Sequence, residues 1–147
     1  MAVKFEQKID IDAPGDKVWG IITNPNTWSM WLPEVTGEVS VSNFAPGGTF
    51  TWRNGDSVGN GSIVDINERS SIITLITQDD NIPVTHTIDV DRSGGFLGIG
   101  GNDSRVKYVM EYDPPGGFIS DFVAGGNPKD MLRLKNALTS LKKLVEG

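Results

Sequence analysis

Hydrophobic and polar residues alternate from Val3 to Ile11, with Val3, Phe5, Gln7, Ile9 and Ile11 on one side and Lys4, Glu6, Lys8 and Asp10 on the other. That two-residue period predicts a half-buried strand. Ala13-Pro14-Gly15-Asp16 follows, with a Pro suited to a first helical turn and an acid suited to the positive helix N-terminus, ahead of Val18, Trp19, Ile21 and Ile22. A short helix ending near Thr23 is predicted. Asn24-Pro25-Asn26 breaks it, and Thr27 to Leu32 can form about one or two turns before Pro33, with Trp28 and Trp31 sharing a face. Six β segments come next: Val35 to Val41, Thr49 to Arg53, Ser62 to Ile66, Ser71 to Thr77, Pro83 to Asp91 and Arg105 to Tyr112. Their separators are turn-formers, most of them short, which favours antiparallel meander connections over crossovers. Asn127-Pro128-Lys129-Asp130 then opens a long amphipathic helix on Met131, Leu134, Leu138, Leu141 and Val145, widened by Leu132, Ala137 and Leu144, with Lys and Arg on its back.

The predicted order is β, α, α, six β, α, an α+β arrangement. A curved antiparallel sheet has one face to bury, and the terminal helix is the only element long enough to cover it. A sheet wrapped around a helix tends to leave a concavity where small apolar ligands bind. The length of 147 residues with no internal repeat or linker predicts one domain over residues 1–147. The formal charge of −6 is the wrong sign for neutralising phosphates, which argues against nucleic acid as a partner. With no Cys and one His, thiolate chemistry, iron–sulfur ligation and multi-histidine metal sites are excluded, and no metal or cofactor is expected. No stretch approaches the roughly 18 apolar residues of a membrane span, and the opening Met1 to Lys8 has no apolar run. The expectation is a soluble, cytoplasmic protein without an integral membrane segment.

The run Ile11-Asp12-Ala13-Pro14-Gly15-Asp16-Lys17-Val18-Trp19, the turn Asn24-Pro25 and the run Trp28-Ser29-Met30-Trp31-Leu32-Pro33-Glu34-Val35 resemble the opening of the SRPBCC (START-like, helix-grip) superfamily, especially its polyketide cyclase/dehydrase-like branch. Tyr112-Asp113-Pro114 and Leu138-Thr139-Ser140-Leu141-Lys142 resemble its ending. The resemblance implies a helix-grip fold, β-α-α-β6-α, with a seven-stranded antiparallel sheet around the C-terminal helix. It implies a hydrophobic small-molecule ligand (lipid, isoprenoid or polyketide-like) held between sheet and helix. A cyclase/aromatase or dehydratase acting in the same cavity is the alternative, and a chaperone-interacting protein the third. The Gly-Trp that marks the chaperone-stimulating branch near its C-terminus is missing from this chain.

His86 alternates with Val84, Ile88 and Val90, so parity directs the only imidazole to the buried face. Val106, Tyr108, Met110 and Tyr112 share a face of the last strand, and antiparallel pairing places His86 near Tyr108 or Met110. Such a cluster is either a core histidine satisfied by hydroxyls, a polar contact for a ligand, or an acid and base. His86, Tyr108, Met110 and Tyr112 are taken as pocket contacts. Phe50 and Trp52 alternate against Thr49, Thr51 and Arg53, as core or as pocket wall, with Arg53 then facing solvent. Trp28 and Trp31 divide in the same way between core and pocket wall, since the resemblance implies that the short second helix borders the pocket mouth, and Met131 and Leu134 of the last helix complete the candidate lining.

Asp89-Val90-Asp91-Arg92-Ser93-Gly94 copies the start of a calcium loop, but the bidentate Glu that should close it is replaced by Gly100. Gly94-Gly95-Phe96-Leu97-Gly98-Ile99-Gly100-Gly101 matches no phosphate-binding loop. Its apolar residues Phe96, Leu97 and Ile99 either close over the cavity as a lid, make a transient membrane or protein contact, or pack on the sheet edge. The lid is the expectation adopted. No Gly-x-Ser-x-Gly elbow or second His supports a hydrolase triad.

Overall fold

A computed structural model of the chain describes residues 3–32, 35, 37–54, 57–79, 82–91, 103–113 and 128–147. Strand β1 (Val3–Ile11) leads into helix α1 (Gly15–Ile22), a single 3-10 turn (Pro25–Thr27) and the one-turn helix α2 (Trp28–Trp31). Six strands follow: β2 (Val39–Val41), β3 (Thr49–Asn54), β4 (Ser57–Asn67), β5 (Ile72–Asp79), β6 (Ile82–Asp91) and β7 (Ser104–Tyr112). The chain then forms helix α3 (Pro128–Glu146). The described strands make one sheet in the order β1-β7-β6-β5-β4-β3-β2, each adjacent pair antiparallel. This is the expected α+β helix-grip arrangement, with α3 packed against β1, β7 and α2.

Local chemistry accounts for the elements. Gly15, Val18, Trp19 and Ile22 are the buried stripe of α1, and the Thr23 hydroxyl ends it by donating to the Trp19 carbonyl at 2.7 Å. Trp19 itself donates from Nε1 to Glu68 in the β4–β5 turn at 2.5 Å, pinning α1 to the sheet. On α3, Leu134, Ala137, Leu138, Leu141 and Val145 are buried at helical spacing. The last turn of α3 is tied to the end of β1: Lys142 Nζ donates to the Asp10 carbonyl at 3.0 Å, and Glu146 accepts the Asp12 amide at 2.8 Å.

Four expectations need correction. Strand β2 begins at Val39 rather than Val35, because the Val35 amide turns back to the Leu32 carbonyl at 3.4 Å instead of joining β3. Strand β4 runs from Ser57, well before Ser62. Its inward positions Gly59 and Gly61 carry no apolar signal of their own, since the rings of Trp52 and Phe50 on the paired strand cover them. Leu132 is 55% exposed and does not widen the stripe of α3. Nor do all the basic residues of α3 lie on its back, because Arg133 is half-buried with Nε and Nη2 shut off from solvent.

Strand β4 also contains a bulge. Ile63 faces Leu75 but Asp65 faces Thr74, so Val64 is an extra residue without a β5 counterpart. Val64 is exposed, while Ile63 on one side is buried and Ile66 on the other half-buried.

Candidate functional site

Strand register builds a row across the inner face of the sheet. Phe5 of β1 pairs with Met110 of β7, Met110 with His86 of β6, His86 with Leu75 of β5, and Leu75 with Ile63 of β4. All five are buried. His86 is the polar member, and its two ring nitrogens are served by diagonal neighbours on the flanking strands. Nε2 lies 2.8 Å from Thr77 Oγ1 on β5, and Nδ1 lies 2.6 Å from the Tyr108 hydroxyl on β7. His86 and Tyr108 are fully buried and Thr77 nearly so. Two residues up one strand and two down the other, the hydroxyls lie on the diagonals where long side chains meet.

Burial pushes the His86 ring down to about 3, and the nearby Arg133 charge pushes the same way. The ring is therefore neutral at physiological pH. One nitrogen then donates and the other accepts, so one hydroxyl of the pair gives its proton to the ring and the other receives one. Whichever hydroxyl receives keeps a proton to offer elsewhere. Such a chain can present a donor at either end without ever carrying a charge.

A second, aromatic group adjoins it. Phe50 and Trp52 of β3 stack at 5.9 Å between ring centres, and Trp28 of α2 meets Phe50 edge-on at 4.9 Å. Trp28 is fully buried and donates from Nε1 to the Ile22 carbonyl at 2.8 Å; Trp31 is buried and donates to Thr27 Oγ1 at 3.1 Å. The two groups are linked through Thr77, since Phe50 faces Gly61, Gly61 faces Thr77, and Thr77 meets His86 on the diagonal. Arg53, opposite in phase, is exposed.

The other candidate residues divide. Met110 and Leu134 are fully buried in the same core, with Met131 packed partly buried against it. Tyr112 is half-buried and stacks on Phe5 at 5.8 Å, a strand end away from His86. Phe96, Leu97 and Ile99 lie outside the described residues. Two residues escaped sequence reasoning. Thr77 was detectable, since it continues the inward phase of Ile73 and Leu75. Arg133 carried only a weak signal, one turn before the buried Ala137. Among the described residues no cluster of His, Asp and Glu could hold a metal ion, and no helix is long and apolar enough to cross a membrane.

Elsewhere, a surface cleft of about 310 Å³ is lined by Arg69, Ser70, Ser71, Asp89, Val90 and Asp91. Ser71 stands there in the left-handed region at φ 57°, where its carbonyl accepts the Val90 amide at 2.9 Å. This cleft has no part in the His86 cluster.

Comparison with known proteins agrees with this architecture. No curated protein sequence matches the chain. Among solved structures it is similar to norcoclaurine synthase from Thalictrum flavum in complex with dopamine and hydroxybenzaldehyde. The TM-score is 0.66 at 12% identity, covering 99% of this chain and 87% of that one. It is similar to the Zhui aromatase/cyclase from a Streptomyces species, with a TM-score of 0.67 at 13% identity and coverage of 99% and 94%. An uncharacterised protein from Bacillus thuringiensis gives a TM-score of 0.74 at 15% identity, with 99% and 100% covered. At these identities the likeness is one of fold. The sequence model of the family described as polyketide cyclase / dehydrase and lipid transport matches residues 2–146. The motifs at the two ends and the helix-grip order between them are thus parts of one continuous match, and the chain belongs to the polyketide cyclase / dehydrase and lipid transport family.

Proposed function

We propose that the protein binds a hydrophobic small molecule of the lipid, isoprenoid or polyketide-like class between the sheet and α3. One observation carries the reading: the Thr77–His86–Tyr108 chain inside an interior made mostly of apolar side chains. A core needs no such chain, because apolar side chains of similar volume stabilise at least as well as buried polar networks. A ligand with a polar end does need one, to fix its orientation while apolar burial supplies affinity at about 25 cal/mol per Å². The aromatic rings of Trp28, Trp31, Phe50 and Trp52 give the apolar end its wall. His86 and Tyr108 are closed to solvent in the described state, so entry requires local opening. Met110 beside His86 and Met131 on α3, both unbranched, are the side chains best suited to make room.

Intrinsic tryptophan fluorescence and thermal melting with a panel of fatty acids, isoprenoids and aromatic polyketides test the reading. Saturable fluorescence change with a rise in Tm is expected, since a ligand selective for the folded state must stabilise it. A panel that produces neither defeats the proposal. A cyclase or dehydratase is the second reading, favoured by a neutral imidazole linked to a phenol that could pass a proton. It predicts that His86→Ala lowers turnover far more than substrate affinity.

A further inference from the structure

The two edges of the sheet differ in length. β2 offers three residues, Val39–Val41, and β1 offers nine, Val3–Ile11. In an antiparallel ladder, alternate residues direct both backbone groups to the same neighbour. The Val90 amide of β6 bonds on the β5 side, to the Ser71 carbonyl. That phase, carried across β6 and β7 by their registers, gives the odd-numbered residues of β1 to β7. Lys4, Glu6, Lys8 and Asp10 therefore turn their amides and carbonyls to the open edge. The contacts of α3 fit this phase, since they engage the Asp10 carbonyl and the Asp12 amide, both at even positions. Toward the start of β1, no described strand covers the edge at Lys4, Glu6 or Lys8.

The same four side chains are exposed and alternate in sign along the outer face. An open edge invites pairing with another chain, and a row of one charge would repel a second copy. Alternating charges select a register instead. A two-fold copy of β1 can pair only where even residues meet even ones. Centred on Glu6, it would set Glu6 against Glu6 and Lys4 against Lys8, all like charges. Centred on Gln7, it sets Glu6 against Lys8 and Lys4 against Asp10, so that every charge on the strand meets its opposite. Val3 then lies beside Ile11 and Phe5 beside Ile9 on the inner side. Lys8 gains most, because within its own chain it stands opposite Lys107 of β7, a like-charged pair. We propose that β1 is a dimer interface, where a second copy of this chain pairs antiparallel about Gln7 and the two sheets continue as one. The Asp10 carbonyl keeps a second lone pair beside Lys142 for the incoming Lys4 amide. This interface is independent of the interior binding site.

Sedimentation equilibrium of the full chain, from micromolar to millimolar concentration at low salt, tests the proposal. A reversible dimer is expected. Glu6→Lys and Lys8→Glu each set like charges together twice across the two-fold and should weaken dimerisation roughly ten-fold. The double variant should dimerise like the wild type, and a mixture of the two single variants should form a heterodimer more readily than either forms a homodimer. Both positions are exposed, so the monomer keeps its fold. Hydrogen exchange gives a second readout: raising the concentration should slow the amides of Glu6 and Lys8 while leaving Gln7, already bonded to β7, unchanged. A monomer across the whole range overturns the proposal. So does a dimer indifferent to both charge reversals, a mixture of the single variants that does not associate, or protection that appears on β2 instead of β1.

Discussion

Trp52 lies across the backbone of its cross-strand partner Gly59, so close that a β-carbon added to Gly59 would sit 2.0 Å from the indole Cε2. Phe50 does the same to Gly61, at 2.4 Å from Cζ. The rings occupy the space that side chains on β4 would fill, an arrangement in which an aromatic residue compensates a glycine in a strand.

The glycines therefore predict three different outcomes on substitution by Ala. Gly59→Ala and Gly61→Ala should each cost about 1 to 3 kcal/mol by overpacking. Gly61 should cost the more, because the Ile76 carbonyl stands only 2.6 Å from the new carbon and backbone cannot turn aside. Gly47→Ala should cost about 1 kcal/mol through its positive φ of 91° alone, since nothing crowds it. Gly20→Ala, open and in a helix, should stabilise by about 0.5 to 1 kcal/mol. Urea melts of the four variants check the order.

His86 predicts the response to acid. Its ring titrates at about 3 folded and near the ordinary 6.5 unfolded, so between those values the unfolded chain binds a proton that the folded chain refuses. Stability should be indifferent to this group above pH 6.5 and fall as pH drops from there, by up to about 1.4 kcal/mol per pH unit, levelling off only below about 3. His86→Leu should remove that component between pH 6 and 4. If its stability falls with acid as steeply as the wild type's, the ring is not held neutral.

The Thr77–His86–Tyr108 chain predicts strong non-additivity. Tyr108→Phe leaves Nδ1 without this partner in a site closed to water and should cost about 1 to 3 kcal/mol, as should Thr77→Val for Nε2. Combining both with His86→Leu removes every member of the chain together. The triple variant should be less destabilised than the sum of its parts, a difference that a mutant cycle by chemical denaturation measures.

The tie between helix and strand predicts a local effect. Glu146→Ala deprives the Asp12 amide of its acceptor and should raise hydrogen exchange at Asp12, leaving exchange at Leu75 and Met110 in the sheet centre unchanged. Uniformly faster exchange would mean that this contact supports the whole fold.

Legibility in the sequence followed the physics of each element. The helix-grip order was readable because alternation on β1, β6 and β7 is regular and the stripe of α3 is long. His86 could be placed beside Tyr108 and Met110 since parity and antiparallel pairing determine which residues meet. Arg133 could not, because a long cation on a helix flank looks the same in sequence whether it reaches into water or along the sheet. The first half of β4 was unreadable for a related reason: the apolar surface at Gly59 and Gly61 belongs to β3.

The bulge at Val64 divides β4 into two reading frames. Up to Ile63 the odd-numbered positions face inward; from Asp65 onward the even-numbered ones do. Deleting most single residues from this strand would throw one frame out of phase and turn its apolar side to solvent. Deleting Val64 itself would not. Ile63 would still face Leu75, Asp65 would still face Thr74, and Ile66 would stay on the inner side, so the strand would lose a bend and keep its alternation. A length change at that one position alters the curvature of the sheet while leaving the inside and outside of β4 as they are, which makes residue 64 the place where the shape of the interior can be retuned without redrawing its lining.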